Sequence, residues 1–176
     1  MSFFSQTETF LLSSQDNVEK LKNSSAAKIL VLSDSHGGKA ALSRIISYFG
    51  QSVDCIAFCG DGASDLLSLC TEPSCYSESA YDNAGTEKII NKAAQINSNK
   101  IFPPVIAFVA GNNDGGSFGE IKIPSSLIFE ACGKKIFLAH GHRYGVYSGT
   151  ERLEQEAQLT GADIVLFGHT HVPFAE

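Results

Sequence analysis

No apolar run in this sequence approaches the roughly 20 residues that a membrane-spanning helix needs, so nothing in it suggests a span. The first ten residues carry no basic stretch, and Phe10-Leu11-Leu12 is too short for the apolar centre of a secretory signal. A reduced cytoplasm is therefore the expected compartment. A basic excess is also missing. Thirteen Lys and Arg against 19 Asp and Glu leave a net charge of −6, which argues against general affinity for nucleic-acid backbones. That balance does not exclude a phosphate-bearing substrate, because a bound metal supplies positive charge that formal counting omits. The five cysteines, Cys55, Cys59, Cys70, Cys75 and Cys132, lack metal-finger spacing, and Cys55 and Cys59 read as small core residues at a strand. There is no internal repeat and no Gly-rich linker, and 176 residues suit one domain with a real core.

What the chain does have is organised around residues 28–37, KILVLSDSHG. Ile29 to Leu32 read as a buried strand. It stops on Asp34-Ser35-His36, where an extended backbone projects residues i and i+2 to one side. A carboxylate and an imidazole aimed at one point make half of a metal site. Apolar runs at 53–58, 105–110 and 163–167 read as further strands, and 126–131 with 134–139 as an antiparallel hairpin around Cys132-Gly133. Helices are expected at 39–49, closed by Gly50, then at 63–69, at 86 to about 96, and at 149–159, with Gly161 just beyond. Residues 70–85, which include Tyr76 and Tyr81, read as a surface loop. Residues 1–27 read as an N-terminal extension that is either a short helix around 16–22 or a loosely attached segment. Strands alternating with helices predict a largely parallel α/β arrangement.

Five of these strands end on candidate ligands: Asp34 and His36, Asp61, Asn112, His140, and His169 with His171. All five histidines of the chain lie in such strand-end loops. In open α/β sheets, ligands bind beyond the carboxyl ends of the strands, so the loops are expected to converge. Asp, Asn and His donors without thiolate suit divalent Mn, Fe, Co, Ni or Zn. Seven donors exceed the needs of one tetrahedral ion, and a carboxylate can bridge two ions that together clamp a phosphoryl centre.

The ordered series Asp34-x-His36, Gly60-Asp61, Gly111-Asn112-Asn113-Asp114, His140-Gly141-His142 and Gly168-His169-Thr170-His171 resembles the calcineurin-like metallophosphoesterases, and within them the small bacterial and archaeal phosphodiesterase branch. The resemblance spans residues 28–171 and implies a four-layer αββα sandwich over 28–176. It also implies two divalent ions, Mn in the first place, with Fe, Co, Ni or Zn as alternatives. Asp34, His36 and His171 would hold the first, Asp61 would bridge, and Asn112, His140 and His169 would complete the second. The chemistry implied is hydrolysis of a small phosphodiester through attack by a metal-bound hydroxide. A phosphomonoesterase is the near alternative, and a non-catalytic scaffold, as in the retromer subunit of similar fold, the distant one.

Two departures from the family pattern shape the expectation. Where many members carry a His after the metal-binding Asn, this chain has Asn113, a candidate catalytic residue that can donate hydrogen bonds at the leaving group but is no general acid at neutral pH. His142 or Arg143 is expected to contact the phosphate instead. Asp114 is expected to orient the site rather than ligate. The chain also stops five residues past His171, where relatives continue with further strands of the second sheet. The domain therefore reads as C-terminally short, with an uncovered edge at which a second copy of the chain could pair.

Overall fold

The structure, a computed structural model, describes residues 5–71, 80–81, 87–88, 102–173 and 175. Two three-stranded sheets organise it. The first has the order β1 (Ile29–Leu32), β2 (Cys55–Phe58), β5 (Val105–Phe108), all parallel. The second has the order β10 (Ile164–Leu166), β9 (Lys134–Ala139), β8 (Ser126–Ala131), with β10 parallel and β8 antiparallel to β9.

Strand alternation sorts the side chains into layers, because successive residues point to opposite faces. Cys55, Ala57, Val105 and Ala107 meet Leu127, Phe129, Ala131, Ile136 and Leu138 in a core between the sheets. Ile56, Phe58, Ile106 and Phe108 face the other way. They pack on Leu42 and Ile46 of α2 (Lys39–Phe49) and on Leu66 and Leu67 of α3 (Ala63–Thr71). On the far side, Phe137 and Ala139 pack on Leu153 of α4 (Glu151–Thr160). Helices, sheet, sheet, helix: this is the αββα sandwich expected from the sequence, with short strands β6 (Ser117–Phe118) and β7 (Ile121–Lys122) as an added hairpin. Among the described residues, no helix is long and apolar enough to cross a membrane.

Several local expectations are corrected. β1 is only half-buried and Val31 is 43% exposed, because β1 lies at a sheet edge and pairs with β2 alone among the described residues. A short apolar run does not distinguish a central strand from an edge strand. Gly50 does not end α2 in the left-handed conformation. Its φ is −57° and the chain tightens into a 3-10 turn over Gly50–Ser52. Gly161 does close α4 that way, at φ 66°. The helix expected at 86–96 meets backbone at Glu87–Lys88 (β4) that pairs antiparallel with Ala80–Tyr81 (β3). The rest of that helix, and of the 70–85 loop with Tyr76, lies outside the described residues.

Residues 5–27 are built into the sandwich. α1 (Gln15–Asn23) is capped by Ser14, whose hydroxyl accepts the Asn17 N–H. Its last turn receives the N–H groups of Cys132 and Gly133 at the tip of the β8–β9 hairpin. Leu12 exchanges backbone hydrogen bonds with Ile106 at 3.0 and 3.1 Å, adding one antiparallel bridge beside β5. Leu11 and Leu12 are each 1% exposed. The weak apolar scatter in this segment conceals two fully buried leucines.

Candidate metal centre

The strand ends bring all seven expected donors together. Asp34, His36 and His171 form one group and Asp61, His140 and His169 another. In the first, Asp34 Oδ1 lies 3.7 Å from His36 Nε2 and 3.3 Å from His171 Nε2, and the two imidazole nitrogens are 3.3 Å apart. In the second, His140 Nε2 is 3.4 Å from Asp61 Oδ2 and 3.1 Å from His169 Nδ1. Asn112 joins this group, its Oδ1 3.2 Å from His140 Nε2. The groups share a wall: Asp61 Oδ2 is 3.8 Å from His36 Nε2, and Asp34 Oδ1 is 3.8 Å from His140 Nε2. They differ in exposure. Asp61 and His140 are buried, whereas His36 and His171 face solvent.

The donor set fits divalent cations on three counts. Asp34 Oδ2 accepts the His169 N–H at 3.0 Å, while Oδ1 is buried without a donor and points into the cluster. An orphaned buried carboxylate oxygen is costly unless something positive meets it. His140 Nδ1 lies 2.7 Å from the Cys59 carbonyl, which requires the proton there and leaves Nε2 as a lone pair. That lone pair then confronts Asn112 Oδ1, also an acceptor, a crowding of acceptors that a cation relieves. Two of the donors are also biased toward their coordinating forms. Burial lowers the pKa of His169, which favours the neutral ring. Burial alone would raise Asp61, but the backbone and side-chain hydrogen bonds from Asn113 outweigh it and hold the carboxyl below its usual range.

Neighbouring residues hold these donors in place. Asp114 Oδ2 accepts the N–H of Asp61 at 2.7 Å and of Gly111 at 2.9 Å, and its Oδ1 accepts those of Gly62 and Ala63 at 3.0 Å each. One carboxylate thus ties the β5 loop to the β2 loop and sits at the start of α3, where negative charge is favourable. Asp65 does the same for the β1 loop, accepting from Ser35 Oγ at 2.6 Å and Gly37 N–H at 2.9 Å. Sequence reasoning did not single out Asp65. Its only signal is its place in the first turn of a helix that follows a ligand loop. Gly111 has to be glycine, since a Cβ there would collide with the Asp61 carboxylate and backbone. Likewise a Cβ at Gly168 would strike Ser33 and Asp34.

Backbone conformation is also concentrated here. Of the seven non-glycine residues with positive φ among the described residues, five are candidate ligands: Asp34, His36, Asp61, His169 and His171. Such angles cost of order 1 kcal/mol each and persist where the surroundings impose them.

The remaining expected residues surround this centre. Asn113 gives its backbone N–H to Asp61 Oδ1 at 2.8 Å and its amide to Asp61 Oδ2 at 2.7 Å, so here it orients a ligand. His142 and Arg143 lie on a 3-10 turn, His142–Tyr144, between two left-handed glycines. The His142 ring is 5.4 Å from that of His140 and 6.0 Å from that of His169, and its Nδ1 is buried without a partner. Arg143 is exposed. Cys55 and Cys59 are buried, as expected of core residues, and burial pushes the Cys55 thiol up to about 12.

Comparison with known proteins agrees with this architecture. The chain is 26% identical over 149 residues to the probable metallophosphoesterase YsnB of Bacillus subtilis (strain 168), covering 84% of this chain and 66% of that protein. It superposes on a conserved, predicted phosphoesterase of Streptococcus pneumoniae TIGR4 with a TM-score of 0.55 at 25% identity, covering 85% of this chain and 66% of the other. Vacuolar Protein Sorting 29 of Cryptosporidium parvum shares the fold at a TM-score of 0.53 and 15% identity, with 85% of this chain and 69% of that one covered. The chain thus spans just under two thirds of the first two relatives' length. Residues 27–176 match the family model for the calcineurin-like phosphoesterase superfamily domain, and with the candidate donor loops of both sheets inside that span, the chain belongs to this superfamily.

Proposed function

We propose that the protein is a metal-dependent phosphodiesterase that hydrolyses a small phosphodiester at a dinuclear centre. One observation carries the reading: two groups of donors, three plus four with Asn112, sit side by side, and the carboxylates of Asp34 and Asp61 each face both. Two divalent ions held there, Mn in our reading, would supply the activation of a water and neutralise charge that builds on the phosphoryl oxygens.

The chain's own residues do the rest. His140, fixed by the Cys59 carbonyl, and Asp61, fixed by Asn113 and Asp114, keep their donor atoms aimed inward without rearrangement. His142 and Arg143, on the turn beside the His140–His169 pair, are assigned to the phosphoryl oxygens. Burial, with the nearby Arg143, lowers the His142 pKa, so the ring serves as a neutral hydrogen-bond donor. With Asn113 engaged on Asp61, no side chain at that position protonates the leaving group, which favours esters whose alcohol leaves readily.

A scaffold role is the second reading, favoured by the fold shared with Vacuolar Protein Sorting 29. Against it stands the full donor set. The experiment is metal analysis of the purified protein, Mn titration, and hydrolysis of bis-p-nitrophenyl phosphate beside p-nitrophenyl phosphate. We expect about two ions per chain and faster diester turnover. Faster monoester turnover would make it a phosphomonoesterase. Failure to bind Mn together with no hydrolysis of either ester would overturn the enzyme reading.

A further inference from the structure

The loop that follows His140 carries two tyrosines with opposite fates. Tyr144 is spent on the core: its ring packs edge-on against Phe137 at 5.9 Å, beside Val146 and Leu153. Tyr147 is 70% exposed, so folding does not account for its ring. Yet the side chain is not loose. Its hydroxyl donates to the His169 carbonyl at 2.8 Å, and its ring lies 4.8 Å from the His169 ring at 61°.

A surface tyrosine anchored at its backbone and at its hydroxyl, between Gly145 and Gly149 at φ 67° and 141°, keeps its ring at one position. The position is the margin of the candidate centre, since His169 Nδ1 is itself 3.1 Å from His140 Nε2. A phosphoryl group seated on the two donor groups would carry its ester substituents toward this margin. The ring there is flat, apolar and already ordered, so a second flat ring stacking on it gives up little conformational freedom.

We propose that Tyr147 is a specificity-determining residue: a platform for an aromatic ring in the alcohol portion of the phosphoester, so that the site favours aryl or other ring-bearing esters over alkyl esters. The inference rests on the phosphoesterase reading above. The competing role for Tyr147 is mechanical, a brace on the His169 loop through the hydroxyl alone.

Binding of two non-hydrolysable phosphonates separates the two roles. Calorimetry on the full, Mn-supplemented chain compares phenylphosphonate with methylphosphonate, which share the charged group and differ in the ring. The wild-type protein is expected to bind the phenyl compound about three- to tenfold more tightly. Tyr147→Phe, which keeps the ring and loses the hydroxyl anchor, should keep a preference for the phenyl compound, though a smaller one. Tyr147→Leu, apolar but without a ring, should bring the two affinities within about twofold. A ratio near one in the wild-type protein, or an unchanged ratio in Tyr147→Leu, overturns the platform. A brace would shift both phosphonates together in both variants. Absence of binding by either phosphonate would overturn this inference, and together with no hydrolysis of bis-p-nitrophenyl phosphate it would overturn the phosphoesterase reading as well.

Discussion

Asp114 accepts the backbone N–H of Asp61 at 2.7 Å, so the loop after β5 dictates the conformation of the loop after β2. The same carboxylate holds three further N–H groups. Asp114→Ala would leave four donors without their acceptor, so the expected loss is about 2 kcal/mol of stability and 10- to 100-fold in metal affinity. Urea unfolding and Mn titration read the two effects separately. Unchanged metal affinity in a folded variant would refute the positioning role.

The unequal exposure of the two donor groups predicts unequal retention of metal. On the dinuclear reading, His171→Ala should remove one ion per chain, while Asp61→Ala, which faces both groups, should weaken both. In the unmodified protein a chelator should strip the solvent-facing Asp34/His36/His171 group first. Metal counting after timed dialysis against chelator checks this, and loss of both ions in a single phase would contradict it.

The N-terminal segment should contribute to stability. Leu12 is 1% exposed and bridges β5, so Leu12→Ala is expected to destabilise by about 2–5 kcal/mol. Equilibrium denaturation measures it. A change below about 0.5 kcal/mol would show that the segment is dispensable.

One exposed carboxylate gives a pH signature. Asp163, just before β10, has its pKa lowered from 3.8 by the Lys135 N–H at 2.8 Å and the Lys134 ammonium at 3.0 Å. A lowered folded-state pKa stabilises the fold above the unfolded value, and the benefit is lost as pH falls through the folded one. The stability difference between the wild-type protein and Asp163→Asn should therefore be present at pH 7 and shrink below about pH 4. Denaturant midpoints at several pH values test it, and a gap that widens in acid would be the wrong sign.

Much of this architecture was legible because candidate donors follow strands in chain order. Five of the six apolar runs end where a donor begins, so Asp34, Asp61, Asn112, His140 and His169 could be placed at strand ends from order alone, although Asp34 and His36 meet through left-handed backbone and not the extended spacing expected of them. The sandwich followed from strands alternating with helices. Residues that act at a distance were not legible. Asp65 reaches Ser35 and Gly37 across 30 and 28 positions, and no local pattern distinguishes it from a helix-starting acid. The same holds for Leu12, whose partner Ile106 is remote in sequence, and for β1, whose edge position depends on what pairs with it. For Asn113, residue type says what the side chain can donate and not to whom. Its partner, Asp61, is set by the turn that brings the two loops together.

The left-handed backbone at Asp34, His36, Asp61, His169 and His171 limits the alphabet from which this centre can be written. Apart from glycine, Asp, Asn and His are the residues enriched at such angles, and they are also oxygen and nitrogen donors for divalent cations. Glutamate would offer an equivalent carboxylate, yet it lacks their preference for this conformation. Chain geometry and coordination chemistry therefore select the same few letters.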